Sequence, residues 1–341
     1  MAKFEGKTIL VTGGTGSFGG YFVNYLLDKN FEEIRIFSRD ELKQEEMRLR
    51  FQNPKIKFHI GDVRDRDSVD DVMAGVDYVF HAAALKQVPT CEFFPMQATQ
   101  TNVMGSQNVI NSAISHGVSR VVSLSTDKAV YPVNALGITK ALMEKIVQSV
   151  SRSISDGQTL LTLVRYGNVL FSRGSVIPLF VKQIREKKPL TVTEPTMTRF
   201  LLPLPEAIQL VGFALEQGQQ GDIFVCKASS CTIGDIAKAL INIFHSKSEI
   251  KIIGMRHGEK MHETLVSKDE LVRSEDMGDY LRVKMDGRDL NYEKYLSEGE
   301  QKLSQLQDYN SQNATRLTIE EIEELLTTQS EIISALNSKE L

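Results

Sequence analysis

Neither sign of charge dominates this chain. Its 341 residues carry 40 Lys and Arg against 44 Asp and Glu, a formal net charge of −4. That balance excludes a nucleic-acid binder working through bulk positive charge. Cysteine is scarce: Cys91, Cys226 and Cys231 form an odd set without C-x-x-C spacing. A structural zinc site is not expected, and three reduced thiols are. The six histidines show neither H-x-x-x-H nor H-x-H spacing, so no metal is expected. Long apolar runs are also missing. The first, TILVT at residues 8–12, gives way to glycines, too short for a signal peptide or a membrane span. A soluble cytoplasmic protein without membrane or nucleic-acid partners is the expectation. Repeats and low-complexity segments are absent.

What is present is ordinary globular material, 41% hydrophobic and 25% charged, enough for a sizeable core. The length suits two domains, or one large α/β unit with a lobe. Short β-branched runs alternate with helical stretches: TILVT (8–12), EIRIFS (33–38), KFHI (57–60), VDYVFHA (76–82), RVVSLS (120–125) and LLTLVR (160–165). Continuous apolar strands separated by helices predict an α/β fold with a doubly wound parallel sheet, the strand-end loops lining one edge. Beyond residue 166 prolines punctuate short strands (190–193, 222–227, 250–254) and a helix over 232–244. This reads as a smaller mixed lobe, so the expected division is 1–165 and 166–341. Ile319, Ile322, Leu325 and Leu326 sit at helical spacing and predict a closing amphipathic helix.

The string TGGTGSFGG (12–20) follows the first strand and opens a helix. Gly14, Gly16 and Gly19 fit G-x-G-x-x-G, and Gly13, Gly16 and Gly19 fit G-x-x-G-x-x-G. Either way, glycine backbone and a helix N-terminus suit a pyrophosphate. The second strand ends in Ser38, Arg39 and Asp40. Arg39 ahead of the acid favours the 2′-phosphate of NADP, with NAD the alternative. Asp62, after the third strand, either receives the adenine amino group or caps the next helix.

Taken in order, TGGTGSFGG, FSRDE, GDVRD, HAAALKQVP, NVMGSQNV, LSTDKAVYP and RYGNV resemble the extended short-chain dehydrogenase/reductases that act on nucleotide sugars. SRGSVIPLF (172–180), TEPTMTRF (193–200) and RHGEK (256–260) narrow the resemblance to the capsule and O-antigen type UDP-N-acetylglucosamine 4,6-dehydratases, including the C5-inverting branch. Related sequences are often labelled UDP-glucose 4-epimerases. The resemblance covers roughly residues 5–325.

The resemblance implies a Rossmann fold, a Rossmann domain holding NADP and a second lobe holding the UDP-sugar, in a homo-oligomer. It implies cofactor contacts from Gly13, Thr15, Gly16, Ser17, Phe18, Ser38, Arg39, Asp62, Val63, Ala82, Ala83 and Lys140. Thr126 would bond the sugar's C4 oxygen, Asp127 would protonate the departing C6 hydroxyl, and Lys128 would take the C5 proton. Lys86, Asn168, Arg173, Val176, Arg199, Arg256 and Glu259 are the implied substrate contacts, and Asn102 packs against the site's backbone. One departure stands out: the family's Tyr-x-x-x-Lys reads Leu136 to Lys140, which removes the usual acceptor of the C4 hydroxyl proton. Tyr131 is not on the expected helix face. The rival readings are a nucleotide-sugar 4-epimerase and a catalytically silent dinucleotide-binding sensor or scaffold.

Overall fold

The computed structural model describes residues 4–155, 157–172, 174–286 and 306–337. The chain divides into two units, each drawn from three segments: 1–166, 204–227 and 266–308 form the first, 167–203, 228–265 and 309–341 the second. The opening segment lays down β1 (Thr8–Thr12), α1 (Ser17–Leu27), β2 (Glu33–Ser38), α2 (Glu41–Phe51), β3 (Ile56–Ile60), α3 (Arg66–Met73) and β4 (Tyr78–His81). There follow α4 (Val88–Phe93), α5 (Pro95–Ala98), α6 (Gly105–Ser115), β5 (Arg120–Leu124), α7 (Ala135–Ser153) and β6 (Leu160–Arg165). A π-helical turn, Thr99–Met104, leads into α6, and a 3-10 turn, Asp127–Ala129, follows β5. The second unit begins with α8 (Val176–Arg185), β7 (Leu190–Val192) and β8 (Thr198–Phe200). The chain returns to the first unit for α9 (Leu204–Gln217) and β9 (Ile223–Cys226), then leaves for β10 (Ser230–Thr232), α10 (Ile233–Ile243), β11 (Ile250–Ile252) and β12 (Thr264–Val266). It comes back with α11 (Lys268–Leu271), β13 (Ser274–Asp276) and β14 (Tyr280–Val283), and ends with β15 (Tyr309–Asn310), α12 (Ile319–Thr327) and α13 (Ser330–Asn337).

The first unit is built on a nine-stranded sheet in the order β13-β14-β9-β6-β5-β4-β1-β2-β3. Every pairing from β9 to β3 is parallel, while β14 and β13 add antiparallel. Ile9, Leu10 and Val11 of β1 are fully buried, as a strand covered on both faces by crossover helices requires. The doubly wound α/β expectation holds. The order reverses beside β1, the switch point where such sheets open a crevice at their carboxyl ends.

Two expectations about the later chain are corrected. The strand in 222–227 belongs to the main sheet, not the lobe: all four residues of β9 are buried, and it has neighbours on both sides, β6 and β14. The first unit therefore does not end at residue 165. The second unit keeps its own core, with Ile177, Phe180, Ile184, Ile236, Leu240, Ile322 and Leu326 among its buried residues. Its α12 is the expected amphipathic helix, started by a capping box between Thr318 and Glu321, but it does not close the chain, since α13 follows it. Among the described residues no helix is long and apolar enough to cross a membrane.

Candidate active site

The glycine loop takes its shape from close approach. Gly13 has φ +66°, and a Cβ there would lie 2.8 Å from the backbone of Ala83. Only glycine serves both demands. At Gly13 the loop thus sits directly against the segment after β4, and Gly16 folds back on it, its amide donating to Gly13 O at 2.9 Å. No side chain caps the first turn of α1, and no acidic residue lies in it. Its N–H groups and dipole remain available to an anion. The Phe18 ring stacks on Tyr166 at 5.0 Å and 6°.

Ser38 and Arg39 follow the carboxyl end of β2, and Asp62 and Val63 that of β3. Asp40 is spent as the N-cap of α2, accepting from the amide of Lys43. Asp65, not Asp62, caps α3, which removes the capping alternative for Asp62. Its carboxylate accepts from the backbone and guanidinium of Arg64, 3.0 and 2.6 Å, and faces Arg39 at 3.4 Å. Those two arginines help hold the Asp62 carboxyl below its usual range against the opposing effect of burial. Arg39 itself is exposed.

The turn after β5 holds the densest chemistry. Thr126 donates its hydroxyl to Asp127 Oδ1 at 2.8 Å, and Lys128 Nζ donates to the same oxygen at 3.0 Å. Asp127 is fully buried, and its Oδ2 has no partner among the described residues. The turn hangs from the end of β6 and the residue after it: Ser125 N donates to Val164 O and Asp127 N to Tyr166 O, 2.7 and 3.1 Å. On α7, Lys140 is buried and donates to Leu124 O at 2.7 Å. Burial pulls its ammonium down to about 8, with Glu144 and Cys91 acting the other way. Leu136 does point into a packed cluster, with Cys91, Ala98, Leu85 and Val88. Tyr131 does not substitute for it. Its hydroxyl donates to Asp308 at 3.1 Å, and partial burial together with that bond pushes the phenol up to about 12.

Several residues escaped the sequence reading or received a vaguer role. His81 is buried between Thr12 Oγ1 and Ser106 Oγ, 2.7 and 2.8 Å. Ser106 donates to Asn102 O, so it accepts from His81 Nε2–H, and Nδ1 accepts from Thr12. Asn102 sits on the π-helical turn and clamps both backbone groups of Leu85, 2.8 and 3.0 Å, besides reaching Thr139 at 3.1 Å. It thereby anchors the loop that carries exposed Lys86, the structural role expected of it. Gly137 of α7 was passed over: a Cβ there would fall 2.2 Å from the carbonyl oxygen of Lys128. Glu144, Arg165 and Glu270 form a buried charge cluster behind the turn. The one signal for it was an arginine ending an otherwise apolar strand.

In the second unit, Asn168 has a buried Oδ1 without a partner among the described residues. Val176 opens α8 and packs on that unit's core. Arg256 is exposed and forms a tight turn with Glu259, its amide donating to Glu259 Oε2 at 3.0 Å. Arg199 differs from expectation. It is buried, its guanidinium donates to Thr198 O and Met261 O, 2.7 and 3.4 Å, and it faces Glu263 at 4.0 Å. It braces β8 and is not open to a phosphate. Arg173 lies outside the described residues. No group of three or more His, Cys, Asp or Glu among the described residues could hold a metal ion.

The model of a family described as "Polysaccharide biosynthesis protein" matches residues 9–285, and that of its C-terminal companion matches 286–332. A curated protein named UDP-glucose 4-epimerase, from Rickettsia felis, is 58% identical over 327 residues, 95% of this chain and 96% of that protein. Its namesake from Rickettsia conorii is 57% identical over 329 residues, with the same coverage of both chains. Among solved structures, Pen from Bacillus thuringiensis is 35% identical with a TM-score of 0.86, covering 96% of this chain and 100% of that one. DesIV of Streptomyces venezuelae, a dTDP-glucose 4,6-dehydratase solved with NAD bound, is 22% identical with a TM-score of 0.69 over 74% of this chain and 86% of its own, and shares the fold.

Proposed function

The chain belongs to the polysaccharide biosynthesis protein family, and on that premise we propose that it is an NADP-dependent 4,6-dehydratase of UDP-N-acetylglucosamine that also inverts C5. Its product would be a modified sugar nucleotide for a surface polysaccharide. The observation that carries this reading is Asp127: fully buried, one oxygen bound by Thr126 and Lys128, the other without a partner among the described residues. A 4-epimerase has no departing hydroxyl to protonate and no use for that second oxygen. A silent sensor has no use for the turn at all.

The residues after β1 to β4 fit a dinucleotide. Gly13 to Phe18 and the uncapped start of α1 suit the pyrophosphate. Asp62 and Val63 would flank the adenine, with Ala82 and Ala83 beside them. Ser38 and exposed Arg39 favour a 2′-phosphate over a bare ribose, since Asp40 is committed to capping. Lys140 would hold the nicotinamide ribose. When bound, the nicotinamide would supply the hydride chemistry between sugar C4 and C6.

The protein's part is proton handling. Thr126 already gives its hydroxyl hydrogen to Asp127, so its lone pairs can accept the C4 hydroxyl proton while its own passes to Asp127. This path replaces the tyrosine missing at Leu136. Protonated Asp127 removes the counter-charge that holds Lys128 as an ammonium; Lys128, whose side chain is part-exposed, then releases one proton to water, and its amine takes the C5 proton. Asp127 then gives its proton to the C6 hydroxyl, which leaves as water. Water supplies the proton that returns to C5 on the opposite face, which gives the inverted sugar and leaves Lys128 an ammonium and Asp127 a carboxylate, as at the start. Asn168 and the turn of Arg256 and Glu259 are the residues we assign to the nucleotide.

The names of the 57–58% identical relatives favour a second reading, UDP-glucose 4-epimerase. Incubation with UDP-N-acetylglucosamine in D2O, followed by proton NMR, separates the two. A new C6 methyl signal with deuterium at C5 is expected, with ring couplings of the inverted sugar. Formation of the galacto epimer without a methyl would overturn the dehydratase reading in favour of the epimerase.

A further inference from the structure

A chain of buried charge runs behind the catalytic turn. Ser125, the residue before Thr126, donates its hydroxyl to Glu144 Oε1 on α7. Glu144 also accepts from Arg165, Nε to Oε1 at 3.0 Å and Nη2 to Oε2 at 2.6 Å. The other edge of the guanidinium is taken by Glu270 of α11, with two bonds of 3.0 Å. Glu270 is itself fixed by a capping box with Ser267. Arg165 is 1% exposed and Glu144 4%, so neither is placed to meet a substrate.

The charge count explains the second carboxylate. One buried arginine needs one carboxylate for neutrality, and Glu270 supplies it. Glu144 then leaves a surplus negative charge, and Lys140 lies four residues before it on the same face of α7. Arg165 and Lys140 against Glu144 and Glu270 make two cations and two anions. The other titratable groups on elements packed about Lys140 are Cys91 and Glu92 of α4, His81 of β4, and Asp127 and Lys128 of the 3-10 turn. His81 is neutral, and Asp127 and Lys128 pair with one another.

We infer that Glu144 is a positioning residue for this site: through Ser125 it sets the placement of the turn carrying Thr126, Asp127 and Lys128, and its carboxylate is the counter-charge that keeps Lys140 a cation. The kinetic half of this inference rests on the dehydratase reading; the electrostatic half does not.

Glu144→Gln preserves size and hydrogen-bonding reach while removing the charge. In the full-length protein with NADP added, the Lys140 side chain can be titrated by NMR of labelled lysines, its signal assigned with Lys140→Arg. The Lys140 midpoint should fall by about one pH unit in Glu144→Gln. The kcat for UDP-N-acetylglucosamine should fall about tenfold or more with KM little changed, and its alkaline limb should move down with the midpoint. Glu144→Asp should restore the midpoint. An unmoved Lys140 midpoint in Glu144→Gln overturns the electrostatic half. Ser125→Ala isolates the other half, since it cuts the link to the turn and leaves the charges in place. It should lower kcat without shifting Lys140; unchanged kcat and KM overturn the positioning half. If the wild-type chain does not convert the sugar while the Lys140 midpoint still falls in Glu144→Gln, the reading of the reaction fails and the counter-charge role stands.

Discussion

His81 shows how much one buried side chain can set. Both its ring nitrogens are committed, to Thr12 and to Ser106. Burial and the Lys140 charge bring it from the ordinary 6.5 down to about 3. The unfolded chain binds a proton as pH falls through 6.5, and the folded chain does not until about 3. Stability is therefore full above 6.5 and lost as pH falls through that window, by about 1.4 kcal/mol per unit. Between pH 6.5 and 5 this one residue should remove about 2 kcal/mol. Urea midpoints at the two pH values check it: the wild type should lose more stability than His81→Gln, and equal losses would contradict the assignment. In the proposed dehydration, Asp127→Asn keeps the shape of the turn and removes the group proposed as the acid. Formation of the C6 methyl product should slow by about 10²–10⁴-fold with little change in KM. Thr126, Asp127 and Lys128 were legible because they stand together in one string. Glu144 and Glu270 were not, because the arginine that joins them lies 21 and 105 residues away, and a lone glutamate on a helix looks like any solvated one.

The strands and α7 differ in how much of their placement could be read in advance. The ends of β1, β2 and β6 match their runs residue for residue: β1 and β6 are buried almost throughout, and β2 alternates buried Ile34 and Ile36 with half-buried Glu33 and Arg35. The three-residue strands β7 and β11 fall inside the runs expected at 190–193 and 250–254, while β8 and β10 were not foreseen, being too short to show a period. The π-helical turn that aims Asn102 at Leu85 has no sequence signature. In α7 the start is set by a local contact and the fit by a distant one. Asn134 caps the helix by accepting from the Gly137 amide at 2.8 Å. Gly137 itself reads as a weak helix former until its neighbour is known, the Lys128 carbonyl 2.2 Å from where a Cβ would be. That neighbour is backbone and cannot swing aside. Gly137→Ala should force α7 and the turn of Thr126, Asp127 and Lys128 apart, at about 1–3 kcal/mol. Activity should fall further than stability, because the shift displaces Asp127 and Lys128 from Lys140. Thermal unfolding and kcat, measured on the same preparation, check this; an alanine variant with both unchanged would show that the turn tolerates the movement.

At the level of the whole chain, the nucleotide fingerprint at the N-terminus invites a boundary near residue 165, and the architecture explains why that boundary is incomplete. An interior parallel strand takes a partner on each edge and a helix on each face. For β6 the outer partner is β9, and the helix α9 packs on β5, β6 and α1; all are in the first unit but arrive after residue 203. Ile208, Leu210, Val211, Leu215, Ile223, Phe224 and Val225 are buried in these returning elements. At roughly 1.5–3 kcal/mol for each large side chain, their burial matches or exceeds the whole net stability of about 5–15 kcal/mol typical of a domain. Arg165 would also lose Glu270, leaving part of its guanidinium without its carboxylate. A fragment of residues 1–166 should therefore fail to form a stable cofactor-binding unit despite holding every glycine of the phosphate loop. Far-UV circular dichroism, gel filtration and NADP titration of that fragment beside the full chain provide the check. A monomeric fragment that unfolds cooperatively and binds the cofactor as tightly as the full chain would show that the returning segments are dispensable.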